Sequence, residues 1–264
     1  MLKYMALNLF SNYLNLPPIP LVGSHRGISL NSIKNQENTL TTIFSKENIK
    51  ADYCEVDLLI TKDLQLILFH DDQLSNSPIE FLDYSMVIKL NPDIITLDTL
   101  LTHIAYMSDP PLLNIELKSY FLNFEEKKKF ISKLISTIKT YTLNDSLLIS
   151  SFDMDLLKLF RKNCSDFKIA LLLNPEDSIR KDNNFINKLD ALCPHIDMLE
   201  QVKPFNLPNF VWEKSNESKI ETTLRNFNSK QEIKQWIKQY NIFGLTTNNV
   251  QEVLHQSRTA HQET

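Results

Sequence analysis

Four short segments of the chain put acid–base and ligand groups at the ends of apolar runs. They are Ser24-His25-Arg26-Gly27, Glu55-Val56-Asp57, Phe69-His70-Asp71-Asp72 and Asn114-Ile115-Glu116-Leu117-Lys118. Side chains alternate along a strand, so Glu55 and Asp57 point to one side, as do Glu116 and Lys118. The flanking residues are apolar, and converging buried carboxylates are costly without a partner, so the set calls for a cation. Glu55, Asp57 and Glu116 make a hard oxygen site suited to one divalent ion, Mg2+ or Ca2+. No histidine or cysteine cluster at zinc spacing competes with it. His25 and His70 supply what phosphodiester cleavage needs, one group to accept a proton and one to donate it. Arg26 can hold a phosphate oxygen in a planar fork while Lys118 neutralises charge on the opposite side. Each segment alone has a plainer reading. A strand-end histidine is often structural, Glu-x-Asp suits a surface strand, and Ile-Glu-Leu-Lys suits an alternating edge strand.

The elements that must position these groups alternate between short apolar strands and amphipathic helices, which predicts a parallel α/β fold. Strands are expected at 20–24, 53–59, 65–70, 112–118, 146–151, 167–173, 196–199, 220–225 and 242–246. Nine is one more than a closed (β/α)8 TIM-type barrel needs, and 60–64 is too short for a helical crossover. One strand therefore lies outside the regular repeat of a single barrel, and 71–95 is expected to be a short insertion after the third strand. A helix is expected over 123–141, with Phe124, Ile131, Leu134, Ile135 and Ile138 as its apolar stripe. Another is expected over 229–240, where Ser229 and Glu232 form a capping-box pattern. The stretch 202–219 is expected to be a second long loop. In such a barrel, chemistry sits at the carboxyl ends of the strands. Two of only three glycines, Gly23 and Gly27, flank His25-Arg26, which suggests a tightly turning backbone.

Composition fits one domain over all 264 residues, 42% of them hydrophobic. A net charge of −4 gives no sign of a nucleic-acid binder, and none is expected as a partner; Lys127-Lys128-Lys129 is expected to be a solvated helix face. Cys54, Cys164 and Cys193 are odd in number and far apart, so a reducing, cytoplasmic setting is expected, with Cys54 as a small buried hydrophobe. Residues 1–19 are expected to cap the barrel floor, with Leu2, Met5, Leu9, Phe10 and Tyr13 near helical spacing. A secretory signal is the lesser expectation there, because Asn8, Ser11, Asn12 and Asn15 interrupt the apolar run. No segment approaches the roughly 20 apolar residues that span a bilayer, so no stable membrane insertion is expected. Residues 255–264 are expected to form a polar tail.

Taken in order, His25-Arg26-Gly27, Glu37-Asn38-Thr39, Glu55-Val56-Asp57, Thr61-Lys62-Asp63, His70-Asp71 and Ile115-Glu116-Leu117-Lys118 resemble the glycerophosphodiester phosphodiesterase family. Ile149-Ser150-Ser151-Phe152 adds a later element of the same pattern. The resemblance spans roughly residues 20 to 152, a little over half the chain. It implies a distorted (β/α) barrel that hydrolyses glycerophosphodiesters, a small phosphodiester substrate, to glycerol 3-phosphate and an alcohol. By position His25 and His70 would be the acid–base pair, Glu55, Asp57 and Glu116 the metal ligands, and Arg26, Lys118 and Phe152 the phosphate and substrate contacts. Glu37 would support Arg26 or His25; its plainer reading is an acid at a helix start.

Three positions depart from the pattern. Gln36 replaces the usual proline. Arg225-Asn226-Phe227-Asn228 stands where the family often has Trp-Thr-Val-Asn on its penultimate strand, so Arg225 is expected at the substrate in place of an aromatic. Gly244-Leu245-Thr246-Thr247-Asn248 lacks the aspartate that tends to follow the threonine. Two other functions fit the same residues: a lysophospholipase D or sphingomyelinase D-like enzyme, with Phe69, Phe81, Leu82, Tyr84 and Met86 lining an apolar slot, and a retired barrel serving as a binding module.

Overall fold

A computed structural model describes residues 19–27, 36–45, 48–107, 110–141, 143, 146–179, 184–214 and 217–259. The helix expected within 1–16 and the last five residues of the tail lie outside them. Along the chain the strands are β1 (Leu21–Ser24), β2 (Tyr53–Ile60), β3 (Leu66–Leu68), β4 (Gln73–Leu74), β5 (Ser77–Pro78), β6 (Leu112–Leu117), β7 (Leu147–Ser151), β8 (Lys168–Leu173), β9 (Ala191–Pro194), β10 (Asn209–Trp212) and β11 (Ile242–Thr247). The α-helices are α1 (Leu40–Ile43), α2 (Tyr84–Leu90), α3 (Leu97–Ala105), α4 (Phe124–Ile138), α5 (Met154–Asn163), α6 (Leu199–Val202), α7 (Lys219–Arg225), α8 (Lys230–Gln239) and α9 (Val250–Thr259).

Eight strands pair in parallel in the order β1-β11-β10-β9-β8-β7-β6-β2. The ring closes where β1 meets β2, with Gly23 opposite Tyr53 and Ser24 opposite Cys54. This is the expected (β/α)8 barrel. The surplus strand is β3, which returns antiparallel along the end of β2 because the link between them is too short for a crossover. Residues 71–95 and α3 then complete the passage to β6.

Two expected strands are helical instead. Residues 196–199 hold a 3-10 turn running into α6, and the true strand β9 lies just upstream, ended by Pro194. Residues 220–225 belong to α7, whose buried Ile220 and Leu224 are four apart, the spacing of one helix face. The strand they were expected to form is β10, a four-residue segment inside the supposed loop 202–219.

Inward and outward faces follow the two-residue period. Leu21, Tyr53, Leu112, Leu148, Ala170, Ala191 and Phe210 fill the barrel interior as one cluster. Outward residues such as Val56, Ile115 and Ile149 pack under Ile131, Leu134, Leu156 and Phe160 of α4 and α5. The α4 start is fixed by Asn123, whose side chain accepts from Glu125 and Glu126 N–H while Glu126 reaches back to Asn123 N–H. Phe124, expected in its stripe, is exposed, and Phe130 takes the buried position. Segment 71–95 carries a small core of its own, with Ile79, Val87 and Ile94 against Leu59 and Ile67. Phe69, Leu82 and Tyr84 pack on that core while Phe81 and Met86 face outward, so the expected apolar slot is not built from these five. Among the described residues no helix is long and apolar enough to cross a membrane.

Candidate active site

Each inward row of side chains changes character along its strand. On β2 the row reads Tyr53, Glu55, Asp57; on β6 and just beyond it reads Leu112, Asn114, Glu116, Lys118. Apolar residues seal the floor and charged ones arrive at the carboxyl ends. Parallel pairing sets Glu55 beside Asn114 and Asp57 beside Glu116. Glu55, Asp57 and Glu116 each offer one oxygen, and these atoms lie within 4.8 Å of one another.

The cluster is buried: Glu55 is 4% exposed, Asp57 1% and Glu116 7%. Burial, with Asp57 and Glu116 adjacent, pushes the Glu55 carboxyl well above its ordinary range. Burial would raise Asp57 as well, but Lys118 and Arg26 beside it outweigh that and bring it down to about 2. Glu116 stays raised by burial despite Lys118. The Lys118 ammonium stands 3.1 Å from Asp57 Oδ1 and 2.5 Å from Glu116 Oε1. Glu55 Oε1 is buried with no hydrogen-bond partner. Three buried carboxylates and one unpartnered oxygen fit a hard divalent cation such as Mg2+ or Ca2+.

Two left-handed residues shape the entrance. Arg26 has φ 55° and Gly27 φ 65°. This bend turns Arg26 N–H onto Glu55 Oε2 at 2.9 Å and lets Arg26 C=O accept Asn38 N–H at 2.8 Å. A Cβ on Gly27 would meet Ile43 at 2.8 Å, so the expected tight turn belongs here. Gly23 serves differently: a Cβ there would sit 2.1 Å from the Tyr53 ring that plugs the barrel.

The Arg26 guanidinium lies 3.3 Å from Glu37 through Nη1 and 3.5 Å from Asp57 through Nε. Glu37 thus touches Arg26, one of the two partners expected for it. Its neighbour Asn38, also left-handed at φ 60°, clamps Asp57 from both ends. Asn38 Nδ2 donates to Asp57 Oδ2 at 2.9 Å, and Asp57 N–H donates to Asn38 Oδ1 at 3.0 Å.

His25 and His70 line one cavity of about 570 Å³ together with Arg26, Glu55, Glu116 and Lys118. His25 Nδ1 is 3.0 Å from Asn248 Oδ1, and Nε2 is 4.0 Å from Glu55. Burial and the Arg26 charge lower His25 to about 3, so its imidazole is uncharged. His70 Nδ1 lies 2.8 Å from the exposed Asp71 carboxylate. The outer wall of the cavity includes Tyr120, Phe152 and Trp212, with Phe152 edge-on to Trp212 at 5.8 Å.

Of the residues singled out by sequence, Arg225 alone stands apart from this assembly. It lies on α7, 60% exposed, paired with Glu252 at 3.0 Å, and it does not line the cavity. The penultimate strand is β10, which ends in Trp212, so an aromatic does stand there. Sequence reasoning also passed over Asn38, Asn114, Tyr120 and Asn248 as contributors. The two-residue period through Leu112, Glu116 and Lys118 already marks Asn114 as inward-facing. Asn248 carried no signal beyond its departure from the family pattern.

Residues 25–252 match the profile of the Glycerophosphoryl diester phosphodiesterase family. A glycerophosphodiester phosphodiesterase from Caldanaerobacter subterraneus subsp. tengcongensis is 31% identical over 166 residues, 58% of this chain, and the match spans 66% of that relative's length. Among solved structures, a glycerophosphodiester phosphodiesterase from Parabacteroides distasonis has a TM-score of 0.74 at 20% identity, over 92% of this chain and 98% of that one. An Oleispira antarctica phosphodiesterase in complex with the product sn-glycerol-3-phosphate has a TM-score of 0.65 at 16% identity, over 90% and 96%. At these identities the structural likeness is one of fold.

Proposed function

The chain belongs to the glycerophosphoryl diester phosphodiesterase family, and from that premise we propose that it hydrolyses glycerophosphodiesters to glycerol 3-phosphate and an alcohol with the aid of one divalent cation. The observation that carries the proposal is the convergence of Glu55, Asp57 and Glu116 within 4.8 Å, in a cavity lined by His25 and His70. These three carboxylates would hold Mg2+ or Ca2+, which when bound supplies positive charge for the nonbridging phosphate oxygens.

The protein's own groups supply the rest. Arg26 and Lys118 bind and orient the phosphate from two sides, each already fixed by carboxylates. His25, tied through Nδ1 to Asn248, accepts a proton at Nε2 from the attacking water. His70, its Nδ1 beside Asp71, carries a proton that passes to the departing alkoxide. The new P–O bond to water forms as the P–O bond to the alcohol breaks, and the proton gained by His25 equals the one lost by His70. Phe152 and Trp212 give the substrate carbon skeleton an apolar wall.

Incubating the full chain and Mg2+ or Ca2+ with a panel of glycerophosphodiesters, followed by phosphorus NMR, tests the proposal. A new glycerol 3-phosphate resonance is expected. Silence across the panel with both cations would contradict it.

A further inference from the structure

Glu80 is a buried carboxylate that the proposed chemistry does not use. It lies in segment 71–95, is 6% exposed, and its Oε2 accepts Phe121 N–H at 2.9 Å. Its Oε1 is buried with no hydrogen-bond partner. Burial pushes the Glu80 carboxyl up to about 7. A buried acid with an unpartnered oxygen is destabilising, so what it holds in place is informative. It holds the turn that follows β6.

That turn carries Tyr120, which lines the cavity although its ring is half exposed. The Tyr120 hydroxyl donates to the His70 carbonyl oxygen at 3.3 Å, and it also faces the Lys118 ammonium. Ser119, one residue earlier, donates to Asp153 Oδ2 at 2.5 Å, and Asp153 is paired with Lys127. The turn is therefore anchored on both sides of the tyrosine.

His70 needs such an anchor. The ladder of β3 stops at Leu68, and Phe69 N–H donates to Asp57 C=O at 3.2 Å. The next backbone bond in the segment runs from Ile79 N–H to Asp72 C=O. His70 falls between these two points, with Tyr120 above it.

We propose that Tyr120 is a positioning residue that fixes His70 and Lys118 relative to each other, and that Glu80 holds Tyr120 in place from the insertion. The assignment rests on the hydrolysis proposed above. A misplacement of about 1 Å at a proton-transfer group can cost on the order of a hundredfold in rate.

The full-length variants Tyr120→Phe, Glu80→Ala and Glu80→Gln test it. Tyr120→Phe and Glu80→Ala should each lower kcat by roughly tenfold or more with little change in KM. Glu80→Gln keeps an oxygen for Phe121 N–H and should restore most of the rate. Nitrogen-15 spectra of the His70 imidazole give a readout that needs no turnover: its resonances should move in Tyr120→Phe and Glu80→Ala and stay in Glu80→Gln. Unmoved His70 resonances in Tyr120→Phe, or a lowered melting temperature with kcat intact, would overturn the assignment. A wild-type chain that cleaves no diester would instead count against the function proposed above.

Discussion

Asp57 and Glu116 are register partners on adjacent parallel strands, two acids set side by side in the barrel interior. Like charges directly opposite one another destabilise a sheet. Here Lys118 and Arg26 offset part of that repulsion, and Glu55 adds a third carboxylate to it. A bound divalent cation should therefore stabilise the fold visibly. At a hundredfold excess over Kd the gain is about 2.7 kcal/mol. Mg2+ or Ca2+ should raise the Tm of the wild-type chain and leave that of Glu116→Gln nearly unchanged. Equal shifts in both would place the ion elsewhere.

His25→Ala and His70→Ala should each reduce kcat by at least roughly a hundredfold, the usual size of acid–base catalysis. Circular dichroism of each variant checks that the barrel is intact. Near-normal turnover in either one would remove that histidine from the proposed proton path.

Asn38→Ala removes both hydrogen bonds that orient Asp57. Partners of a metal ligand typically contribute about 10–100-fold to metal affinity or activity. Titration calorimetry with Ca2+ should show weaker binding by an amount in that range. Unaltered affinity would mean that Lys118 and Arg26 suffice to hold Asp57.

Glu213 predicts the pH dependence of stability. Its Oε2 accepts Ile220 N–H at 2.9 Å, and burial with Glu221 nearby pushes the carboxyl up to about 8. In the unfolded chain a glutamate titrates near pH ~4.3. A folded value above the unfolded one means that the contribution is fully present below the unfolded value and is lost as pH rises through about 8. The loss should be on the order of a few kcal/mol. Glu213→Gln should flatten that part of the Tm-against-pH curve, and an unchanged slope would exclude Glu213 as its source.

Arg225→Ala should leave kcat and KM as they are, because Arg225 pairs with Glu252 on the outside of the barrel. An exposed pair of this kind contributes about 0–1 kcal/mol, so stability should move little. A selective loss of activity on anionic diesters would bring Arg225 back to the substrate.

The site was legible in sequence because alternation along a strand is local. Knowing that β2 and β6 are strands is enough to put Glu55 with Asp57 and Glu116 with Lys118, and the ring of strands brings the two rows together. The second half of the barrel was less legible. Ala191–Pro194 and Asn209–Trp212 are four-residue strands, too short to show a period, and β10 lies in a stretch rich in proline and asparagine. Ile220-Glu221-Thr222-Thr223-Leu224-Arg225 has β-branched residues suited to a strand, yet its apolar residues are four apart and fold as a helix. That misplacement carried Arg225 into the expected site and kept Trp212 out of it. Asn248 and Tyr120 were invisible for another reason: their contacts with His25 and His70 join residues 223 and 50 positions apart.

The most direct test follows release of glycerol 3-phosphate from a glycerophosphodiester by the full chain, first after chelation and then after Mg2+ or Ca2+ is restored. Turnover should vanish with the chelator, return with at least one of the two ions, and fail to return in Asp57→Asn. Hydrolysis that persists through chelation, or that survives in Asp57→Asn, would contradict a reaction built on Glu55, Asp57 and Glu116.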